Sequence, residues 1–338
     1  MRVRRSHPGH PSTTSDRGGE AVKRILVFGV AVALLGLSSS SLAGQARQPT
    51  FALVPKAINN PFFNAARDGC MDAAKRLGVV CEYTGPERTE IAPQIQVLEG
   101  LVSRKVDGMS ISPVDAKSVV PVIKRAISSG IPVITFDSDA APESGRLAFV
   151  GTDNEAAGRE LGKLFLRFAP RGAVYGIITG GLGAQNLNAR IKGFKSVVRG
   201  ANYREVKGSP FPSNDDINRA VQLVEQMITA NPDLTAIVMV GGWPLFAPEA
   251  YKNAVKKKEA EIKSGKFVIV SFDTLEPELK LLKEGYVHGL VGQRPYQMGV
   301  RSMELLYDIV VKKQKPKQTF YNTGVDVVTR QNVDKFLK

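Results

Sequence analysis

The stretch IPVITFDSD, residues 131–139, is an apolar, β-branched run that stops at a Phe-Asp pair, and KFVIVSFDT, residues 266–274, repeats the pattern. A short apolar run bounded by polar turn signals reads as a strand buried on both faces, as in parallel sheets covered by helices. Two such runs far apart in the chain imply two sheets. In open parallel sheets, ligands gather outside the carboxyl ends of the strands. Asp137 and Asp273 are therefore each expected to point into a crevice. For either Asp alone, capping the next turn would be the ordinary role; their equivalent places favour the crevice.

Working outward, strand and helix alternate. TFALVP (50–55) reads as a strand, with a helix from after Pro61 to about Leu77. VVCEYTG, VDGMSISP and IPVITFD continue the strands, separated by the helical segments IAPQIQVLEGLVSR and AKSVVPVIKRAISSG. After LAFVGTDN (147–154) the alternation restarts and runs through AVYGIIT, YREVKGSP, LTAIVMVGG and FVIVSFD. The late segments VHGLVGQ and YNTGVDVVT return the chain between the two halves. The expected fold is α/β: two doubly wound parallel-sheet lobes joined by a three-segment hinge near Thr152, Gln293 and Asn322. The N-terminal lobe is assigned 47–152 plus 294–322, and the C-terminal lobe 153–293 plus 323–338.

Of 338 residues, 43% are hydrophobic and 23% charged, an ordinary globular balance. The net charge is +14, but residues 1–43 alone hold six Lys/Arg against two Asp/Glu. The remaining cations are scattered, and the densest run, Lys256–Lys258, reads as a solvated helix face, so nucleic-acid binding is not expected. Lys23 and Arg24 precede the apolar run Ile25–Leu37, and small residues follow. Positive flank, apolar core and small-residue site are the parts of a secretory signal, assigned to residues 1–46 with cleavage after Ala43 or Ala46. The run is short for a membrane span. The long flank before Lys23 suggests that translation starts at Val22. Export makes the periplasm the expected location. Cys70 and Cys81 then have two readings, a disulfide in an oxidising compartment or two small buried hydrophobes. Cys70 falls on the first helix and Cys81 on the next strand, elements that pack together in a β-α-β unit.

Catalytic chemistry is poorly supplied. His288 is the only histidine beyond the signal region and sits in a strand-like stretch. There is no phosphate loop, and GGLGAQN has Asn186 where a dinucleotide fingerprint needs a third glycine. No metal site and no cofactor are expected. The chain does carry groups suited to a sugar. Aromatic faces cover C–H surfaces, and carboxylates, amides and guanidinium meet hydroxyls. Lys56, Asn60, Phe62 and Phe63 stand together just beyond the first strand, in ALVPKAINNPFF. The competing reading of that stretch is Asn-Pro turn chemistry with a core phenylalanine.

The motifs NNPFF, SPVDA, IPVITFDSD, AQNLNARIKGF, VIVSFD, HGLVGQRPYQMG and TGVDVVTRQNVDKFL occur in this order over residues 50–338. Together they resemble periplasmic solute-binding proteins of the ribose-binding type, the receptors of ABC sugar importers. The resemblance implies the type I periplasmic binding protein fold, with Asn60 and Phe62 or Phe63 against a sugar. It also implies hydroxyl-binding roles for Asp137, Arg190, Asp273 and Gln293. Lys56, Asp139, Asn186 and Trp243 complete the candidate ligand set. VPK and FDSD resemble the branch that binds rhamnose or the furanose signal autoinducer-2, so ribose itself is not the expected ligand. The expected partners are a monosaccharide-like molecule and an inner-membrane ABC permease, with the protein a monomer and not an enzyme. The rivals are a receptor for a chemosensor or quorum signal, an enzyme on a similar fold, and a sugar-responsive repressor, which would need a DNA-binding segment where the signal stands.

Overall fold

The first strand, β1 (Thr50–Val54), shows why these runs are apolar without alternation. Phe51 and Leu53 enter one core cluster while Ala52 and Val54 enter another, on the opposite face of the sheet. The computed structural model describes residues 47–337. The proposed signal segment, its cleavage positions and a start at Val22 lie outside these residues.

The chain continues through α1 (Phe62–Leu77), β2 (Val80–Tyr83), α2 (Ile91–Ser103), β3 (Gly108–Ile111), α3 (Val120–Ser128), β4 (Val133–Phe136) and β5 (Phe149–Gly151). It then enters the second lobe with α4 (Asn154–Phe168), β6 (Ala173–Thr179), α5 (Gln185–Val197), β7 (Tyr203–Glu205) and β8 (Phe211–Pro212). Next come α6 (Ile217–Ala230), β9 (Ala236–Met239), α7 (Pro248–Val255), α8 (Glu259–Lys263), β10 (Val268–Phe272), α9 (Glu276–Glu284) and β11 (Gly289–Gly292). The last elements are α10 (Pro295–Val310), β12 (Phe320–Asn322) and β13 (Asp326–Thr329).

One sheet has the order β12-β5-β4-β3-β1-β2, the other β13-β11-β10-β9-β6-β7, with β8 beside β6. The pairings are parallel except that of β13 with β11, which is antiparallel. The chain passes from one sheet to the other after β5, after β11 and after β12. In the first lobe α1 and α10 share one cluster with Phe136 and Val150, and α2 and α3 cover the other face. The second lobe has a single large cluster around β6, β9 and β10.

Two local details differ from the sequence reading. Helix α3 begins only at Val120, because Asp115 Oδ1 accepts the N–H groups of Lys117 and Ser118 and holds the preceding residues in a turn, while Pro121 fits the helix start. Only Tyr203–Glu205 of YREVKGSP is a strand; the rest of the stretch is a turn that leads into the separate two-residue strand β8. Cys70 and Cys81 are joined in a disulfide with Cα atoms 6.0 Å apart. His288 is structural: Nδ1 accepts the Ile269 N–H at 3.0 Å, and Nε2 lies 3.1 Å from the Ile262 carbonyl.

Candidate ligand-binding cleft

The repeated Phe-Asp pairs end β4 and β10 in the same way. Asp137 and Asp273 both have left-handed backbones, with φ of 58° and 74°. Their N–H groups donate to the carbonyls of Val150 and Val291, the next strand in each sheet, at 3.1 and 3.0 Å. Asp tolerates this region better than most residues. The conformation turns each carboxylate off the strand end, and both line one cavity between the lobes.

From the first lobe, Lys56, Asn60, Phe62, Phe63 and Asp137 line this cavity; from the second, Asn186, Arg190, Trp243 and Asp273; and from a crossing segment, Gln293. Asn60 combines a turn bond with a place in the cavity wall. Its Oδ1 accepts the Phe62 N–H at 3.0 Å and starts α1, while the residue also lines the cavity. Phe63 packs edge-on against both Phe62 and Phe136 within the first-lobe core.

Arg190 anchors the second-lobe side. It is 2% exposed, and its guanidinium lies over the Phe272 ring, 4.3 Å from the centroid. Nε donates to Asn154 Oδ1 at 2.8 Å, Nη1 to the Val240 carbonyl at 2.8 Å and Nη2 to Gln293 Oε1 at 2.6 Å. Helices α4 and α5 meet backbone to backbone here; a β-carbon at Gly158 would lie 2.1 Å from the Arg190 carbonyl oxygen. Gln293 passes the network on, donating to Asp273 Oδ1 at 2.8 Å, and the Gly242 N–H holds the other oxygen at 3.2 Å. On the first-lobe side, Ser112 donates to Asp137 Oδ2 at 2.7 Å.

The lobes also touch through the site itself. Lys56 Nζ donates to Asn186 Oδ1 at 3.0 Å and lies 3.7 Å from Asp137 Oδ2, while Asn186 Nδ2 donates to Asp137 Oδ1 at 3.3 Å. The space left is about 30 Å³, the scale of about one or two water molecules.

Asp139 is a correction. It does not line the cavity: both its oxygens are engaged by Arg146, and Oδ1 also accepts from Thr135 Oγ1 at 2.6 Å. Arg146, in the same connection between β4 and β5, claims it first.

Asp215 was missed. It stands in SNDDIN, where Asp216 is the α6 cap, accepting the Arg219 N–H at 2.8 Å. Asp215 instead has φ of 58° and lines the cavity. Oδ2 accepts from Thr89 Oγ1 of the other lobe at 3.3 Å, and Oδ1 has no partner. Burial raises its pKa, with nearby Lys56 pulling the other way. Burial likewise raises that of Asp273, opposed by Arg190. Burial lowers that of Arg190, opposed first by Asp273 and then by Asp137 and Asp215. Two cations thus meet three carboxylates. Ser112, Asn154 and Thr89 were also missed; each is an ordinary polar residue whose partner is distant in sequence. Among the described residues no cluster of three or more His, Cys, Asp or Glu could hold a metal ion.

The family model for the periplasmic binding protein domain matches residues 51–314. The chain belongs to the periplasmic binding protein family. As a periplasmic binding protein it has solved relatives of the same fold. One is an ABC transporter solute-binding protein from Burkholderia graminis in complex with D-arabinose, 34% identical, covering 86% of this chain and 98% of that one, with a TM-score of 0.74. A solute-binding protein from Agrobacterium vitis with bound D-fucose is 27% identical over 85% of this chain and 97% of that one, with a TM-score of 0.78. Among curated proteins, the D-ribose/D-allose-binding protein of Pseudomonas aeruginosa is 27% identical, covering 83% of this chain and 89% of the relative.

Proposed function

We propose that this periplasmic binding protein is the substrate-binding component of an ABC transporter, taking an uncharged monosaccharide or similar polyol between its lobes. The observation that carries this reading is the set of planar polar groups converging from both lobes on one cavity. Asp137, Asp215 and Asp273 accept, Arg190 and Lys56 donate, Asn186 and Gln293 do both, and Phe62 and Trp243 supply apolar faces. Three carboxylates against two cations favour a ligand rich in hydroxyl donors over a sugar acid or sugar phosphate. The relatives named for ribose, allose, arabinose and fucose support a sugar as the cargo. An inner-membrane permease is the partner, the chain acts as an exported monomer in the periplasm, and binding rather than turnover is its task.

Ligand enters the open form, touches both lobes and favours closure, because it gains contacts only when both walls reach it. A thermal-shift panel of D-ribose, D-allose, D-arabinose, D-fucose, D-tagatose, L-rhamnose, their uronic acids and their phosphates tests this. A ligand bound only by the folded form raises the melting temperature. At least one neutral sugar is expected to do so and the anionic forms not. A response confined to anionic compounds would overturn the reading.

A further inference from the structure

The two lobes meet at a second place, outside the cavity, where the fit depends on a missing side chain. Ala116, in the turn after β3, donates its N–H to the carbonyl of Gly183, in the turn before α5, at 3.2 Å. This backbone bond runs directly from one lobe to the other. A β-carbon at Gly183 would lie 1.9 Å from Asp115 Oδ2, 2.9 Å from its Cγ and 3.3 Å from its Cβ. The Asp115 carboxylate cannot simply swing aside, because Oδ1 is held by the N–H groups of Lys117 at 3.0 Å and Ser118 at 2.7 Å. Gly183 has no left-handed backbone, so its need for glycine comes from the other lobe and not from its own turn. Gly181, two residues earlier in the same turn, meets nothing within 4 Å.

We infer that the Asp115–Gly183 contact is the stop that sets how far the lobes close. Neither residue lines the ligand cavity. A side chain at 183 would act as a wedge: the open form tolerates it, since the turn is exposed, and the closed form does not. Affinity for any ligand that needs the closed form falls by the fraction of closed molecules lost. The inference rests on the hinged-lobe reading above, but not on which ligand is carried.

The test needs no sugar. Arg88 and Asn218 line one groove at the cleft mouth from opposite lobes, so Arg88→Cys with Asn218→Cys reports closure by the rate of disulfide trapping in the full mature chain. Trapping at the parent rate is expected for Gly181→Val, and a slowing of about tenfold or more for Gly183→Val. Gly183→Ala is expected to slow it less, and Asp115→Ala to restore it in that background, because the nearest remaining atom is then Cβ. Melting temperatures measured alongside separate wedging from misfolding, and Gly183→Ala carries the comparison if the valine variant does not fold. Equal trapping with glycine and valine at 183, or no trapping in the parent, would overturn the inference. Failure of the sugar panel would instead overturn the ligand reading and leave this result standing.

Discussion

Arg190 separates what the sequence could say about a residue from what it could not. The resemblance carried by AQNLNARIKGF marked it for the cleft. Its three fixed hydrogen bonds, to Asn154, the Val240 carbonyl and Gln293, were not legible, because those partners are scattered along the chain. They change the expected outcome of mutation. Asp137→Ala and Asp273→Ala should each weaken sugar binding by about 2 kcal/mol or more with a small change in melting. Arg190→Ala should do both, losing about 2 kcal/mol or more of stability as well, since its buried partners are left unpaired. Calorimetry with the sugar found in the panel, run beside thermal melts, checks the distinction. Asp139 illustrates the opposite error: FDSD offers two acids, and only the fold reveals that Arg146 takes the second. Glu278 was invisible altogether. It is fully buried behind Asp273, with Oε2 accepting the Leu275 N–H at 2.7 Å and Oε1 unpartnered. Burial, and next the charge of Asp273, raise its pKa well above the ordinary 4.5. A carboxyl whose folded pKa is raised stabilises most fully below its unfolded value and loses that contribution as pH climbs toward the folded one. Glu278→Gln should therefore match the parent protein near pH 4 and melt progressively higher than it as pH rises toward 8. Parallel melting curves across that range would reject this account.

At the scale of elements, the apolar runs were legible because a strand covered on both faces has no polar alternative to offer. Boundaries were less so, since a side chain such as Asp115 can hold three residues in a turn that their composition would allow in a helix. The Phe-Asp echo proved the most informative pattern: β4 and β10 end with the same backbone twist and the same bond to the neighbouring strand. The disulfide was an even choice from sequence, because two cysteines close in sequence on adjacent elements pack well either bonded or free. In the fold it ties α1 to β2, and its loop spans 11 residues. On the chain-entropy account its loss should cost about 3 kcal/mol. Denaturant titration of the Cys70→Ala/Cys81→Ala variant measures this, and an unchanged midpoint would show that the bond adds nothing to packing already in place.

Across the whole molecule, the hinge is where the two halves of the sequence pattern converge. Thr152 and Gln293, from two of the three crossings, are hydrogen-bonded to each other at 3.2 Å. Gln293 in turn holds Arg190 and Asp273, so the pivot and these two cavity-lining groups share one polar chain. A bound sugar should make the protein more compact in small-angle scattering. Trp243 is the only tryptophan and lines the cavity, so its emission should change saturably with the same sugar. Asp273→Ala should move both responses to higher concentration. A sugar that binds without compaction would defeat hinge closure while leaving binding intact.

The order of crossings has a consequence for how the polypeptide is made. The first lobe is not finished by its own first hundred residues: α10 must return to lie on α1, and β12 must pair with β5. Both arrive only after all of the second lobe except its last strand, β13, has been synthesised. A chain emerging N-terminus first therefore leaves one apolar face of its leading sheet covered by α1 alone until the last few dozen residues are out.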